Sequence, residues 1–334
     1  MSRGVAFVVI VLLVVFGAGF WVQRHYLQTA FSTPPQAAQS AATTTSIDSK
    51  VAAAIQDRIA KSGADVGIAF ETLDGRLTWF SRSDDVFHAA STMKIPVMIE
   101  LYHQVREGKL KLSDQLAVKN EFHSLVDGSV FTLNPSDDSE TDLYKAVGQT
   151  RTLDQLCDLM VTVSSNFATN LLIRKLGIDN IRATVASLHA DGMDIKRGVE
   201  DQKAFDKGLN NTTTARGLAT LLLAIANGQA VDAESSAKMI EILERQKFNE
   251  GIPAGLPANI RVAHKTGEIT KIHHDAGIVY AARPFVIVVL VRGVEDFKQS
   301  GALIADVTRD LYQASQGPAT SQNSQPGQGN AAAR

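Results

Sequence analysis

A chain of 334 residues, 45% hydrophobic and 20% charged, can build one large core or two average ones. Its 33 basic and 35 acidic residues nearly cancel, to a net charge of −2, which leaves no electrostatic footprint for nucleic acid. The one cysteine, Cys157, excludes an internal disulfide; within Leu156-Cys157-Asp158-Leu159-Met160 it reads as a small buried hydrophobe.

In chain order, residues 4–22 come first, with 19 positions free of charge. As a helix they span about 28 Å, against a hydrocarbon core of roughly 30 Å. Arg3 precedes the stretch, and Arg24 and His25 close it. It ends in Phe20-Trp21-Val22, bulky residues that suit a membrane interface better than a small-x-small cleavage site. Residues 1–31 are therefore expected to act as a membrane anchor or signal segment that exports the rest of the chain. Residues 32–45, rich in Pro, Ala, Thr and Gln, read as a linker, and residues 314–334 as a disordered tail. The folded domain is expected over residues 46–313, as a monomer.

That domain opens with a predicted helix over residues 46–60. Two strands come next, over 65–71 and 76–81, around the turn Leu73-Asp74-Gly75. From Lys94 the apolar spacing turns helical, predicting helices over 95–107, 153–163, 167–176, 213–227 and 233–243. Strand character returns over 260–265, 276–281 and 284–292, and a last helix is expected over 300–313. Strands at both ends around a helical middle predict an α+β fold: an antiparallel sheet flanked by helices, with an inserted all-helical lobe. A cleft between the two parts is a usual place for a site.

Three short elements carry chemistry: Ser91-Thr-Met-Lys94, Ser164-Ser-Asn166 and Lys265-Thr-Gly267. None is specific alone. A second Ser-x-x-Lys stands at Ser235–Lys238, a second Lys-Ser-Gly at Lys61–Gly63, and a second Ser-x-Asn at Ser321–Asn323. Ser91 starts an apolar helix and shares a face with Lys94, so the amine is expected to touch the hydroxyl. A serine is a weak nucleophile until a neighbour takes its proton, and burial lowers a lysine pKa into the range that can do so. Ser164 and Asn166 fall between two helices; locally a helix end followed by an N-cap explains them equally well. Lys265-Thr266-Gly267 is expected at the end of an edge strand. There a substrate backbone can lie against the glycine while cation and hydroxyl hold its carboxylate.

In this order and spacing the three elements resemble those of the penicillin-recognising serine hydrolases. Residues 87–94, 163–172 and 262–267, and the run Asn211-Thr-Thr-Thr-Ala-Arg216, are similar to the class A β-lactamases, so that the resemblance covers the whole folded part. It implies a serine hydrolase that opens β-lactam amide bonds through an acyl-enzyme on Ser91, with Lys94 as its partner and Ser164 as proton shuttle. Asn166 would contact the side-chain amide of the substrate, Lys265 and Thr266 its carboxylate, beside Gly267. The N–H groups of Ser91 and Glu268 would form the oxyanion hole, and Glu200 would be the deacylating base. The same likeness implies a β-lactam or peptidoglycan-like substrate, while the uncharged residues 4–22 lead to the expectation of a single-pass place in a bacterial inner membrane with the catalytic domain in the periplasm, or of export after signal cleavage. It implies antibiotic resistance as a role as well.

The sequence departs from the family in three places. Ser165 stands where the family has Asp. Glu200 is followed by Asp-Gln-Lys rather than the family's Leu-Asn spacing, which leaves Asp201 as a rival base and Asn210 as the candidate water-positioning amide. Ala276 stands before Gly277, where an arginine often assists carboxylate binding, and Arg292 on the neighbouring strand is the substitute. The alternatives are a D-alanyl-D-alanine peptidase or esterase, which lacks a dedicated base, and a sensor that stays acylated. No cofactor is implied, since a Gly-rich strand-to-helix turn is missing from the folded part. No metal is implied either: His273 and His274 are adjacent, read as a loop or strand-edge pair, and in a strand would face opposite ways.

Overall fold

The computed structural model describes residues 44–317. The anchor expected over residues 4–22 lies outside these residues, as do most of the linker and the tail beyond Gly317. Among the described residues no helix is long and apolar enough to cross a membrane.

The main sheet has six strands: β1 (Thr45–Ser46), β2 (Asp65–Thr72), β3 (Leu77–Ser81), β4 (Arg261–Ile269), β5 (Ile272–Tyr280) and β6 (Phe285–Arg292). Their order is β1-β3-β2-β6-β5-β4, antiparallel except for the short β1–β3 pair. Strands from the two ends of the chain therefore meet at β2–β6, with Ile68 opposite Val289. The run Phe-Val-Ile-Val-Val-Leu-Val of β6 is buried throughout because the sheet is covered on both faces. Its alternate residues feed two cores. Phe285, Ile287, Val289 and Val291 meet Ile55 and Leu303 of the terminal helices α1 (Ser49–Ser62) and α8 (Phe297–Gln316). Val286, Val288 and Leu290 face the helical lobe.

That lobe contains α2 (Lys94–Arg106), α3 (Leu153–Thr162), α4 (Asn166–Leu176), α5 (Ile178–Ser187), α6 (Ala215–Ala226) and α7 (Ala233–Leu243). Helix α2 packs against α3, α4 and α5 and is buried on nearly every side, as expected of a central helix. Cys157 is fully buried on α3, and burial pushes its thiol pKa up.

The sequence expectations hold for the sheet-and-lobe architecture and differ in detail. Helix α5 was not anticipated; its stripe of Ile181, Thr184 and Val185 is thin. Helix α8 starts three residues earlier and runs to Gln316. Strands β4 and β5 are both longer than expected, which puts Lys265-Thr266-Gly267 in mid-strand rather than at a strand end. His273 and His274 lie inside β5, buried, with the His273 ring stacked on Phe297 of α8 and His274 turned to the other face.

Candidate active site

Ser91 sits in a 3-10 turn, Ala90–Met93, that feeds α2. The turn is held in a sparsely populated conformation, with Ala90 at φ 44°. The Ala90 N–H donates to His88 Nδ1 at 3.0 Å, and His274 Nε2 donates to the His88 carbonyl at 2.9 Å. Edge strand β4 lies directly against this turn. A Cβ on Gly267 would lie 3.1 Å from the Ser91 nitrogen, tighter than an ordinary contact, so a side chain there would press on the turn.

Lys94, the first residue of α2, is fully buried. Its Nζ donates to the Ser164 carbonyl at 2.7 Å, Ser164 Oγ at 3.0 Å and Asn166 Oδ1 at 2.9 Å. The expected contact with Ser91 is not among the hydrogen bonds of the described residues: the amine is claimed by the Ser164–Asn166 turn instead. Lys265, also fully buried, donates to the same Ser164 Oγ at 3.1 Å and to the Thr266 carbonyl at 2.9 Å. A hydroxyl oxygen accepts twice, so the Ser164 proton is left free for a third partner. Ser164 itself has φ 58°, a left-handed conformation that ends α3 sharply and aims its side chain between the lysines.

Charge in this cluster is strongly perturbed. Burial lowers Lys94 to about 7, against the opposing pull of the Asp138 and Glu200 carboxylates. Burial holds Lys265 well below the usual lysine range, the charge of Lys94 adding to the effect and Asp275 opposing it. Two ammonium groups sharing one hydroxyl disfavour each other.

Glu200 is brought to the same cluster. Its Oε1 accepts from Asn166 Nδ2 at 3.0 Å, so one amide bridges Lys94 and Glu200. The residue adopts φ 61°, again a strained backbone. Although Glu200 is exposed, desolvation by partial burial raises its carboxyl pKa; Asp137 raises it further, while Arg197 and Lys94 pull it down.

The loop that carries Glu200 is pinned from behind. Asn170 Oδ1 accepts from the Val199 N–H at 2.7 Å, and its Nδ2 donates to the Val199 carbonyl at 2.9 Å. Asp201 is buried and accepts from Ser124 Oγ and the Leu125 N–H, both at 2.8 Å, and from the Ala204 N–H at 3.2 Å. Both oxygens of this rival base are thus engaged in fastening the loop. Asn210 is likewise engaged elsewhere, with its Oδ1 on Arg197 Nη2 at 2.9 Å rather than beside Glu200. Arg292, the expected substitute arginine, pairs with Asp65 at 2.6 Å and covers the Phe87 ring.

Ser91, Ser164, Asn166, Thr266 and Glu268 all line one groove of about 640 Å³, with Asp137 on its wall. Lys94 and Lys265, both fully buried, are not among the lining residues, nor are Gly267 and Glu200. Two groups were missed by sequence reasoning. Asn170 stands four residues after Asn166, on the same helical face, and a buried amide there is a readable signal. Asp138 had none: its carboxylate reaches back to the start of α4 from a loop. Among the described residues no group of three or more His, Cys, Asp or Glu is arranged to hold a metal.

Comparison with known proteins identifies the family and the fold. A β-lactamase from Bacillus licheniformis is 30% identical over 183 residues, covering 51% of this chain and 58% of that relative. The chain thus spans less than two thirds of that relative's length. A solved β-lactamase structure from Sphaerobacter thermophilus matches with a TM-score of 0.68 and 29% identity over 80% of this chain and 97% of that one. The structure of PBP-A matches with a TM-score of 0.71 and 27% identity over 81% and 97%. A variant of PBP-A has been captured as an acyl-enzyme with penicillin G. The family model described as the β-lactamase enzyme family matches residues 50–315. Buried lysines around one serine, a carboxylate on a pinned loop and this match together place the chain: it belongs to the β-lactamase enzyme family.

Proposed function

We propose that the protein hydrolyses β-lactams through an acyl-enzyme on Ser91, with Glu200 as the base that releases it. The observation that carries this reading is the Asn166 amide, which joins Lys94 to Glu200 beside the groove that contains Ser91.

In the reaction, Ser91 Oγ attacks the lactam carbonyl and its proton passes to Lys94. Three donated hydrogen bonds correspond to the ammonium form of Lys94, so it gives up one proton to become the base. With its pKa near 7 that step costs little at neutral pH. The developing oxyanion is met by the N–H groups of Ser91 and Glu268, on either side of the Gly267 contact. The ring C–N bond then breaks, and Ser164 hands its proton to the leaving nitrogen while Lys94 restores it. Asn166 contacts the substrate amide, and Lys265 and Thr266 hold its carboxylate. Glu200 next takes a proton from water, the hydroxide attacks the ester, and Ser91 Oγ recovers its proton.

A D-alanyl-D-alanine peptidase, an esterase or an acylated sensor shares the first half of this sequence. The contact between Glu200 and Asn166 favours the hydrolase, because those alternatives lack a dedicated base. We place the catalytic domain, as a monomer, on the periplasmic face of a bacterial inner membrane, on the strength of the uncharged residues 4–22. Antibiotic resistance is the corresponding role. The test is steady-state hydrolysis of benzylpenicillin by the purified chain: continuous turnover that disappears in Ser91→Ala supports the reading, and stoichiometric acylation without turnover refutes it.

A further inference from the structure

The middle element of the site, Ser164-Ser165-Asn166, lacks a carboxylate of its own, yet it must hold two buried lysines and the Glu200 amide contact. One carboxylate serves it from outside. Asp138 Oδ1 accepts from the Asn166 N–H at 3.0 Å, and its Oδ2 accepts from the Phe167 N–H at 2.8 Å, from Ser165 Oγ at 3.3 Å and from Tyr144 Oη at 3.0 Å. The Tyr144 ring rests on Phe167 at 4.7 Å between centroids, which fixes the phenol that fixes the carboxylate. Next to Asp138, the Ser139 hydroxyl donates to the Val163 carbonyl, the last backbone oxygen before the Ser164 turn.

These contacts complete the start of α4. The first N–H groups of a helix have no partners within it. Asp138 takes those of Asn166 and Phe167, and Ser165 Oγ takes that of Ala168 at 3.2 Å. A negative charge at this end is favoured by the helix dipole. The strained φ 58° of Ser164 therefore lies between two anchors, Ser139 before it and Asp138 after it.

We propose that Asp138 is a positioning residue for acyl transfer: supplied by the 134–140 loop, it holds the Ser164–Asn166 turn so that Ser164 and Asn166 meet Lys94. The same loop supplies Asp137 and Ser139 to the wall of the groove, so the segment that substrate touches is also the clamp on the proton relay. Asp138 further acts on Lys94 by charge, together with Glu200, while Lys265 faces Lys94 from β4. The proposal rests on the acyl-transfer reading given above.

The test is the pH dependence of the pre-steady-state acylation rate of the full-length chain with benzylpenicillin, wild type against Asp138→Asn. Asparagine keeps the shape but removes the charge. The plateau rate is expected to fall about tenfold or more, with KM changed less than about threefold. The acid limb is expected to move to lower pH, since Lys94 loses a charge that raises its pKa. In Asp138→Ala, adding Ser165→Asp puts a carboxylate back at this helix start and is expected to restore both plateau and limb. An unchanged profile, a loss of rate with an unmoved limb, or a folded double variant without recovery overturns the proposal. If the wild type itself is not acylated, the hydrolase reading fails instead. A crystal structure of Asp138→Asn then decides the positioning claim by whether Asn166 still bridges Lys94 and Glu200.

Discussion

Asn166 Nδ2 donates to Glu200 Oε1 at 3.0 Å, which couples a loop residue to a helix start 34 positions away. Because the same side chain also accepts from Lys94, the bases proposed for acylation and for deacylation share one support.

This geometry supports Ser91 as the proposed nucleophile. Ser91 lines the groove, whereas Ser235 is an interior residue of the first turn of α7 and its neighbour Lys238 is paired with Glu234 at 2.7 Å. Ser91→Ala abolishes covalent labelling by a penicillin probe, and Ser235→Ala leaves it at the wild-type level. Intact-protein mass spectrometry reads both.

Acylation is expected to depend on pH through Lys94. Its pKa is lowered to about 7, so the amine is largely neutral above that value and protonated below it. The acylation rate should rise with pH, level off above about 7, and fall about tenfold per unit on the acid side. Stopped-flow acylation over the neutral range checks this; a flat profile through pH 7 contradicts it.

Much of the architecture was legible because burial imposes periodicity. The unbroken apolar run of β6 and the spacing in α3, α4, α6 and α7 identified those elements directly. The three site elements were legible as residue types in order. What sequence could not supply was contact across loops. Nothing local in Asn-Pro-Ser-Asp-Asp-Ser announces that Asp138 will meet the Phe167 N–H. Nor did the pattern reveal that Lys94 would turn to Ser164 rather than Ser91, because a shared helical face permits a contact without requiring it. Between Glu200 and Asp201 the sequence favoured Glu200 with Asp201 as a rival, and the hydrogen bonds of Asp201 to Ser124 and Leu125 support that preference.

Asp201 is accordingly expected to matter for stability. Asp201→Ala leaves the Ser124 hydroxyl and two backbone N–H groups without their acceptor, at about 1–3 kcal/mol. For a domain of this size that lowers Tm by several degrees, at roughly 2–4 °C per kcal/mol. Acylation by penicillin persists in the folded fraction. An unchanged Tm by calorimetry contradicts the pinning role.

The groove also predicts a substrate effect. Glu268 and Asp137 line it beside Thr266, Ala276 stands where an arginine was expected, and Arg292 is held by Asp65. In the proposed binding mode a substrate carboxylate at Thr266, above the buried Lys265, has negative charge nearby. Glu268→Gln is expected to lower KM for a monoanionic penicillin about threefold, less at high salt, with kcat little changed. A raised KM contradicts this account of the groove.

The most direct test of the account is the fate of the acyl-enzyme in Glu200→Gln, tracked by time-resolved mass spectrometry with benzylpenicillin. Glutamine keeps the amide contact of Asn166 and removes the base. The wild type should show an adduct on Ser91 that appears and decays with release of ring-opened product. In Glu200→Gln the adduct should form and accumulate, with deacylation slowed about 10²–10⁴-fold. Normal turnover in Glu200→Gln, or an adduct that persists in the wild type, contradicts the assignment of Glu200 as the base.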